Sequence, residues 1–119
     1  MAATKTSVKT TTATRAAAGK KAQKESDQRM QQAKRASILL KHVSDPTRLQ
    51  VILMLSEGEK HVGAVCDQLN MSQPAVSHHL ALLRHGRIIA PRRQGKNNFY
   101  SLTETGTALA EVVKGLIGS

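Results

Sequence analysis

A chain of 119 residues has room for one domain with a core of modest size. Its 18 Lys and Arg against 8 Asp and Glu, a net charge of +10 and a pI near 10.4, favour a polyanionic partner, nucleic acid first. One Tyr, one Phe and no Trp leave almost no stacking platform for unpaired bases, which points to double-stranded DNA; the single Cys66 excludes an intramolecular disulfide, and no apolar run suits a signal core or a membrane span, so a cytoplasmic protein is expected.

Residues 1–24 are mostly Ala, Thr, Lys and Ser with little apolar beyond Val8, too little to offset the entropy of ordering. They are expected to form a disordered basic arm ahead of a DNA-binding and dimerisation domain over residues 25–119. Up to Ala36 there are nine basic and two acidic residues, a net +7. Most of the excess charge therefore lies outside the expected core, and the arm is read as DNA-contacting. Acid-poor N-termini with Thr and Arg also occur in organelle transit peptides, but this one lacks their amphipathic apolar face.

From about Glu25 to Val43, Met30, Ala33, Ile38, Leu39, Leu40 and Val43 fall at helical spacings. Ser44, Asp45 and Pro46 stop that helix and start another, with Asp45 as cap and Pro46 in the first turn. Leu49, Ile52, Leu53 and Leu55 form the apolar side of this second helix, and Gly58 ends it. A third, short helix over Val62–Leu69 carries Val62, Val65, Cys66 and Leu69 on one side, with Asn70 placed to close it in a left-handed conformation.

Ser72 is suited to an N-cap and Pro74 to a first turn, so the next helix starts at about Gln73. Val76, Leu80 and Leu83, with Ala75 and Leu82 beside them, form its apolar stripe. Its other face carries Gln73, Ser77, His78, Ala81 and Arg84, short or hydrogen-bonding groups without a carboxylate. Gln can bond adenine through two hydrogen bonds, Ser can donate or accept, and Arg can reach a phosphate. A polar outer face by itself equally describes an ordinary surface helix. The preceding helix, two or three residues upstream, completes a helix-turn-helix and favours a recognition helix.

After Gly86 the period shifts, and the stretches around Gln94-Gly95-Lys96-Asn97 read as a hairpin ending at Leu102. Arg84, Arg87, Arg92, Arg93 and Lys96 occur there without any acid, so the hairpin reads as a cationic wing. Thr103 caps a last helix whose Leu109, Val112, Val113, Leu116 and Ile117 make a stripe broader than a small core needs. A homodimer built on the first and last helices is expected. The fold is thus mainly α with a small β-hairpin (α+β), a winged helix-turn-helix. The expected DNA-binding residues are Ser72, Gln73, Ser77, His78, Arg84, Arg92, Arg93, Gln94, Lys96 and Asn97. No paired carboxylates, nucleophile–base pair or phosphate-binding Gly loop argues for an enzyme, and no cofactor is expected.

Ser44-Asp45-Pro46-Thr47-Arg48-Leu49, Ser72-Gln73-Pro74-Ala75-Val76-Ser77-His78-His79-Leu80, Arg92-Arg93-Gln94-Gly95-Lys96 and Tyr100-Ser101-Leu102, in that order, resemble the ArsR/SmtB family of bacterial winged-helix repressors. The resemblance is close over residues 35–103. It implies a homodimer on a palindromic operator near its own promoter, with the helix from Gln73 in the major groove, released by an effector that in many members is a metal or metalloid ion.

The chain departs from the family at its metal sites. A Cys-Val-Cys-Asp type motif at the start of the third helix is matched here by His61, Val62, Gly63 and Ala64, without thiolates. Cys66, in the apolar stripe, reads as a packing thiol. The family site on the last helix pairs carboxylates with imidazoles; here Glu104, Gly106 and Ile117 retain only the carboxylate. Among His42, His61, His78, His79 and His85, the adjacent His78 and His79 point to different sides of one helix, His78 as a DNA-facing donor and His79 partly buried. A zinc site needs three or four convergent ligands, so no metal is expected and the effector is left open. Family members often have a glycine at the position of Arg87 to end the recognition helix, a role expected to fall to Gly86. The alternative function is that of an architectural, nucleoid-associated protein of low sequence specificity, which salt and sequence dependence of binding would distinguish.

Overall fold

Local chemistry sets most of the element boundaries in the computed structural model, which describes residues 12–118. In chain order these are α1 (Thr12–Val43), α2 (Pro46–Leu55), β1 (Lys60–His61), α3 (Val62–Leu69), α4 (Gln73–His85), β2 (Ile89–Gln94), β3 (Asn97–Leu102) and α5 (Glu104–Ile117). Asp45, extended at φ −157°, accepts from the Arg48 amide at 3.0 Å and opens α2 ahead of Pro46. Ser72 and Pro74 open α4 as expected, and Thr103 Oγ1 accepts from the Gly106 amide at 3.1 Å to open α5. Asn70 closes α3 at φ 55°, in the left-handed region.

Two units are distinguished, residues 1–38 and Leu39–Ser119. The first is described through α1, in which every residue from Gly19 to Ile38 is exposed. Within the segment expected as a disordered arm, residues 12–24 are helical and the division between the units falls at Ile38, while residues 1–11 of that segment lie outside the described residues. The scarcity of apolar surface in this segment limits docking. Once a helix exists downstream, however, Ala, Lys, Arg and Gln extend it without a new nucleation cost.

The second unit holds the core. Val51, Ile52 and Leu55 of α2, Val65 of α3, Val76, Leu80 and Leu83 of α4, Ile88, Ile89, and Leu109 and Ala110 of α5 form one buried cluster. Each fully buried aliphatic side chain contributes about 1.5–3 kcal/mol. The stripe of α5 divides around Leu109 and Ala110: these pack inward, while Val112, Leu116 and Ile117 stay 56–80% exposed, and Leu40 of α1 is 52% exposed. No described helix is long and apolar enough to cross a membrane.

The sheet has three antiparallel strands in the order β1-β3-β2, one more than the expected hairpin. β1 pairs Lys60 with Tyr100 and His61 with Phe99. Two residues are too few to leave a period in the sequence. The hairpin itself runs from Ile89↔Leu102 to Gln94↔Asn97, with Gly95 at φ 65° in the two-residue loop.

Gly86 caps the end of α4 as expected, its amide donating to Leu82 O at 3.2 Å, but it does so at φ −80°, and the left-handed conformation falls to Arg87 at φ 58°, whose amide donates to Arg84 O at 2.9 Å. Gly86 answers a packing demand, since a Cβ there would stand 3.0 Å from His42 Cγ. The turn keeps the geometry that a glycine favours, and a side chain tolerates it at roughly 1–2 kcal/mol.

Candidate nucleic-acid interface

The helix-turn-helix is assembled by α3, the Asn70–Met71–Ser72 turn and α4. The Asn70 amide donates to Asp67 O at 3.3 Å and that of Met71 to Cys66 O at 3.2 Å, so the reversal leaves α3 capped. The N-terminus of α3 is capped by an imidazole: His61 Nδ1 accepts from the Gly63 amide at 3.0 Å. Capping occupies that nitrogen, and Cys66 packs half-buried against the core.

Burial of Val76, Leu80 and Leu83 turns Gln73, Ser77, His78, Ala81 and Arg84 to the surface. No carboxylate occurs on α4, and Arg84 and His85 in its last turn suit the negative end of the helix dipole. The Ser72 hydroxyl accepts from the Ala75 amide at 3.4 Å and so serves the cap. His79 is half-buried, and its Nδ1 lies 3.3 Å from Arg48 Nη1 and 3.9 Å from Asp45 Oδ2, which ties the start of α2 to the middle of α4.

A groove of about 530 Å³ runs between α4 and the sheet, lined by Ser77, Leu80, Ala81, Arg84, His85, Arg87 and Tyr100. Arg87 and Tyr100 are not among the expected site residues. Arg87 joins the groove through its left-handed turn, and Tyr100 shares the strand face of Leu102.

Strand alternation sorts the cations of the wing. Tyr100 faces the groove and pairs with Pro91; two residues further along the same face, Arg93 pairs with Asn98. Arg93 Nε donates to Gly95 O at 3.2 Å, and Lys96 is exposed at the tip. Arg92 lies on the opposite face, paired with Phe99. It donates to Glu59 through Nε at 2.9 Å and Nη2 at 2.7 Å, and to Gln94 Oε1 through Nη1 at 3.0 Å. Its guanidinium lies 5.1 Å from the Phe99 ring centroid. The acid-free cationic stretch of the sequence thus acquires a carboxylate in space, and the register separates Arg92, Gln94 and its cross-strand partner Asn97 from Arg84, Arg93 and Lys96.

Two carboxyls are held below their ordinary values, Asp45 below 3.8 by the Arg48 amide and Glu59 below 4.5 by the Arg92 guanidinium, which is itself raised. A carboxyl whose folded pKa is depressed stabilises the fold above its unfolded value, and that stabilisation is lost as pH falls through the folded value. Melting temperature should therefore decline below about pH 4.5, and the decline should be shallower in an Asp45→Asn/Glu59→Gln variant. An identical profile for the variant would assign the acid transition to other groups.

A family model described as "Bacterial regulatory protein, arsR family" matches residues 45–90. The transcriptional repressor SdpR of Bacillus subtilis is 36% identical over 67 residues, which span 56% of this chain and 74% of that protein. The structure of reduced HlyU from Vibrio cholerae superposes with a TM-score of 0.70 at 32% identity, covering 75% of this chain and 95% of that one. A homodimeric winged helix-turn-helix DNA-binding domain from Mycobacterium bovis, Mb0332, superposes with a TM-score of 0.69 at 24% identity, over 77% and 86% of the two chains, a likeness of fold.

Proposed function

The chain belongs to the arsR family of bacterial regulatory proteins, and from that premise we propose that this transcriptional regulator is a homodimeric repressor of a palindromic operator. In this reading Gln73, Ser77 and His78 meet base edges in the major groove, with Ser72 shaping the start of the helix. Arg84, Arg93 and Lys96 meet the backbone. The observation that carries it is the carboxylate-free outer face of α4 opening onto a groove that the wing shares. Exposed Val112, Leu116 and Ile117 on α5 and Leu40 on α1 supply the apolar surface for the partner copy. The basic segment through Ile38 adds sequence-independent attraction to DNA.

Selection of bound duplexes from random DNA would define the operator, and its affinity over random duplex should reach orders of magnitude. In salt titrations on that duplex, an Arg93→Ala/Lys96→Ala variant should show a log–log slope reduced by about 0.9 for each phosphate that is no longer neutralised. An unchanged slope would detach the wing tip from the backbone. Equal affinity for selected and random duplexes would favour an architectural role.

The ligand set supports an effector other than zinc, cadmium or arsenite. His61 Nδ1 is occupied as a helix cap, and soft ions need thiolates that the start of α3 lacks. Calorimetry of the reduced protein with each ion should detect no tight site. A tight site per protomer that lowers operator affinity tenfold would overturn this and point first to His61.

A further inference from the structure

The wing is supported unevenly along its length. β1 pairs with β3 only at Tyr100 and Phe99, whereas β2 and β3 continue as a two-stranded ribbon through Arg93↔Asn98 and Gln94↔Asn97 to the tip. Two-stranded ribbons are marginal by themselves, so the direction of the tip depends on what grips its base. The last level at which all three strands meet is His61–Phe99–Arg92. At that level Arg92 reaches back across β3 to Glu59, the residue just before β1, with both guanidinium bonds made. Gln94 and the Phe99 ring hold the same guanidinium from two further directions.

The pair is half-exposed, with Arg92 and Glu59 side chains 51% and 33% accessible. At the surface such a pair adds little to global stability, but a bidentate carboxylate contact fixes geometry. We infer that Glu59 is a positioning residue for DNA binding: through Arg92 it sets the angle at which Arg93 and Lys96 approach the phosphate backbone, and Arg92 is a brace of the wing instead of a phosphate ligand. This rests on the reading of the wing tip as meeting the DNA backbone.

Glu59→Asp tests the brace without changing net charge, because the shortened side chain cannot keep both bonds to Arg92. On a duplex recovered by selection, at 0.15 M salt, affinity should fall about five-fold, the scale of a coupled pair, with the salt slope unchanged. Arg92→Ala should also leave the slope unchanged. In an Arg93→Ala/Lys96→Ala background, Glu59→Asp should produce no further loss, since the tip then has no cation to position; a general defect in folding would weaken binding in either background.

Unchanged or tighter binding by Glu59→Asp would overturn the proposal. So would a slope reduced by about 0.9 in Arg92→Ala, which would make Arg92 a phosphate ligand. Wild-type slope and affinity in Arg93→Ala/Lys96→Ala would remove the wing reading itself, and the brace with it. Circular dichroism of every variant at the temperature of the titrations ensures that folded protein is compared.

Discussion

Replacing Gly106 by alanine should destabilise the protein by on the order of 3 kcal/mol, while the same change at Gly115, later in the same helix, should stabilise it by roughly 0.5–1 kcal/mol. A Cβ at Gly106 would stand 2.1 Å from the carbonyl oxygen of Ile88, so backbone would have to move, whereas a Cβ at Gly115 meets nothing within 4 Å. The first turn of α5 is pressed against that carbonyl because Thr103 donates to it through its amide and its hydroxyl, each at 3.0 Å. The hydroxyl also reaches Arg87 O at 2.7 Å. Urea denaturation of the two variants checks the expectation. A Gly106→Ala variant as stable as the wild type would mean that α5 is not seated on the Ile88 carbonyl. The same close approach bears on sensing. The resemblance sets a metal-binding imidazole at position 106, and this packing leaves no room for any side chain there.

Replacing Gln73 or Ser77 by alanine should cost on the order of 1–3 kcal/mol on the selected operator and little on random duplex. Both are exposed on the first turns of α4, next to a rigid base formed by the buried Val76 and Leu80. Alanine preserves the helix, removes the hydrogen-bonding groups, and leaves the cations that attract any DNA untouched. Discrimination between sequences should therefore suffer more than affinity as such. Paired titrations on the two duplexes decide it. Equal losses on both would reassign Gln73 and Ser77 to backbone binding or to the fold.

Much of the fold is legible in the residues themselves. The caps at Asp45, Ser72 and Thr103, the left-handed Asn70, the hairpin turn at Gly95 and the apolar stripe of α4 all depend on neighbours within a few positions. Their chemistry is therefore written next to where it acts. From them follow the order of the helices and the hairpin from α2 onward, the helix-turn-helix, and the outer face of α4 on which the functional reading turns. The extent of α1 escapes the same reasoning, because helix propagation through an Ala- and Lys-rich segment needs no buried surface.

Distant partners settle the rest, and only folding brings them together. Arg92 and Glu59 are separated by 33 positions, and the sequence around Arg92 contains no acid to suggest that its charge is engaged. β1 is a strand only because β3 supplies its hydrogen bonds. Gly106 is a glycine because Ile88 O lies against it, and the His42 ring crowds the position of Gly86, while Arg87 bears the left-handed turn. Local conformations and the polar outer face of α4 follow from backbone preferences and the helical period, and so from the order of residues alone. Which cations remain available on the wing, and which glycines cannot change, depend on close approaches between segments far apart in the chain, and such approaches leave no periodic trace in either segment alone.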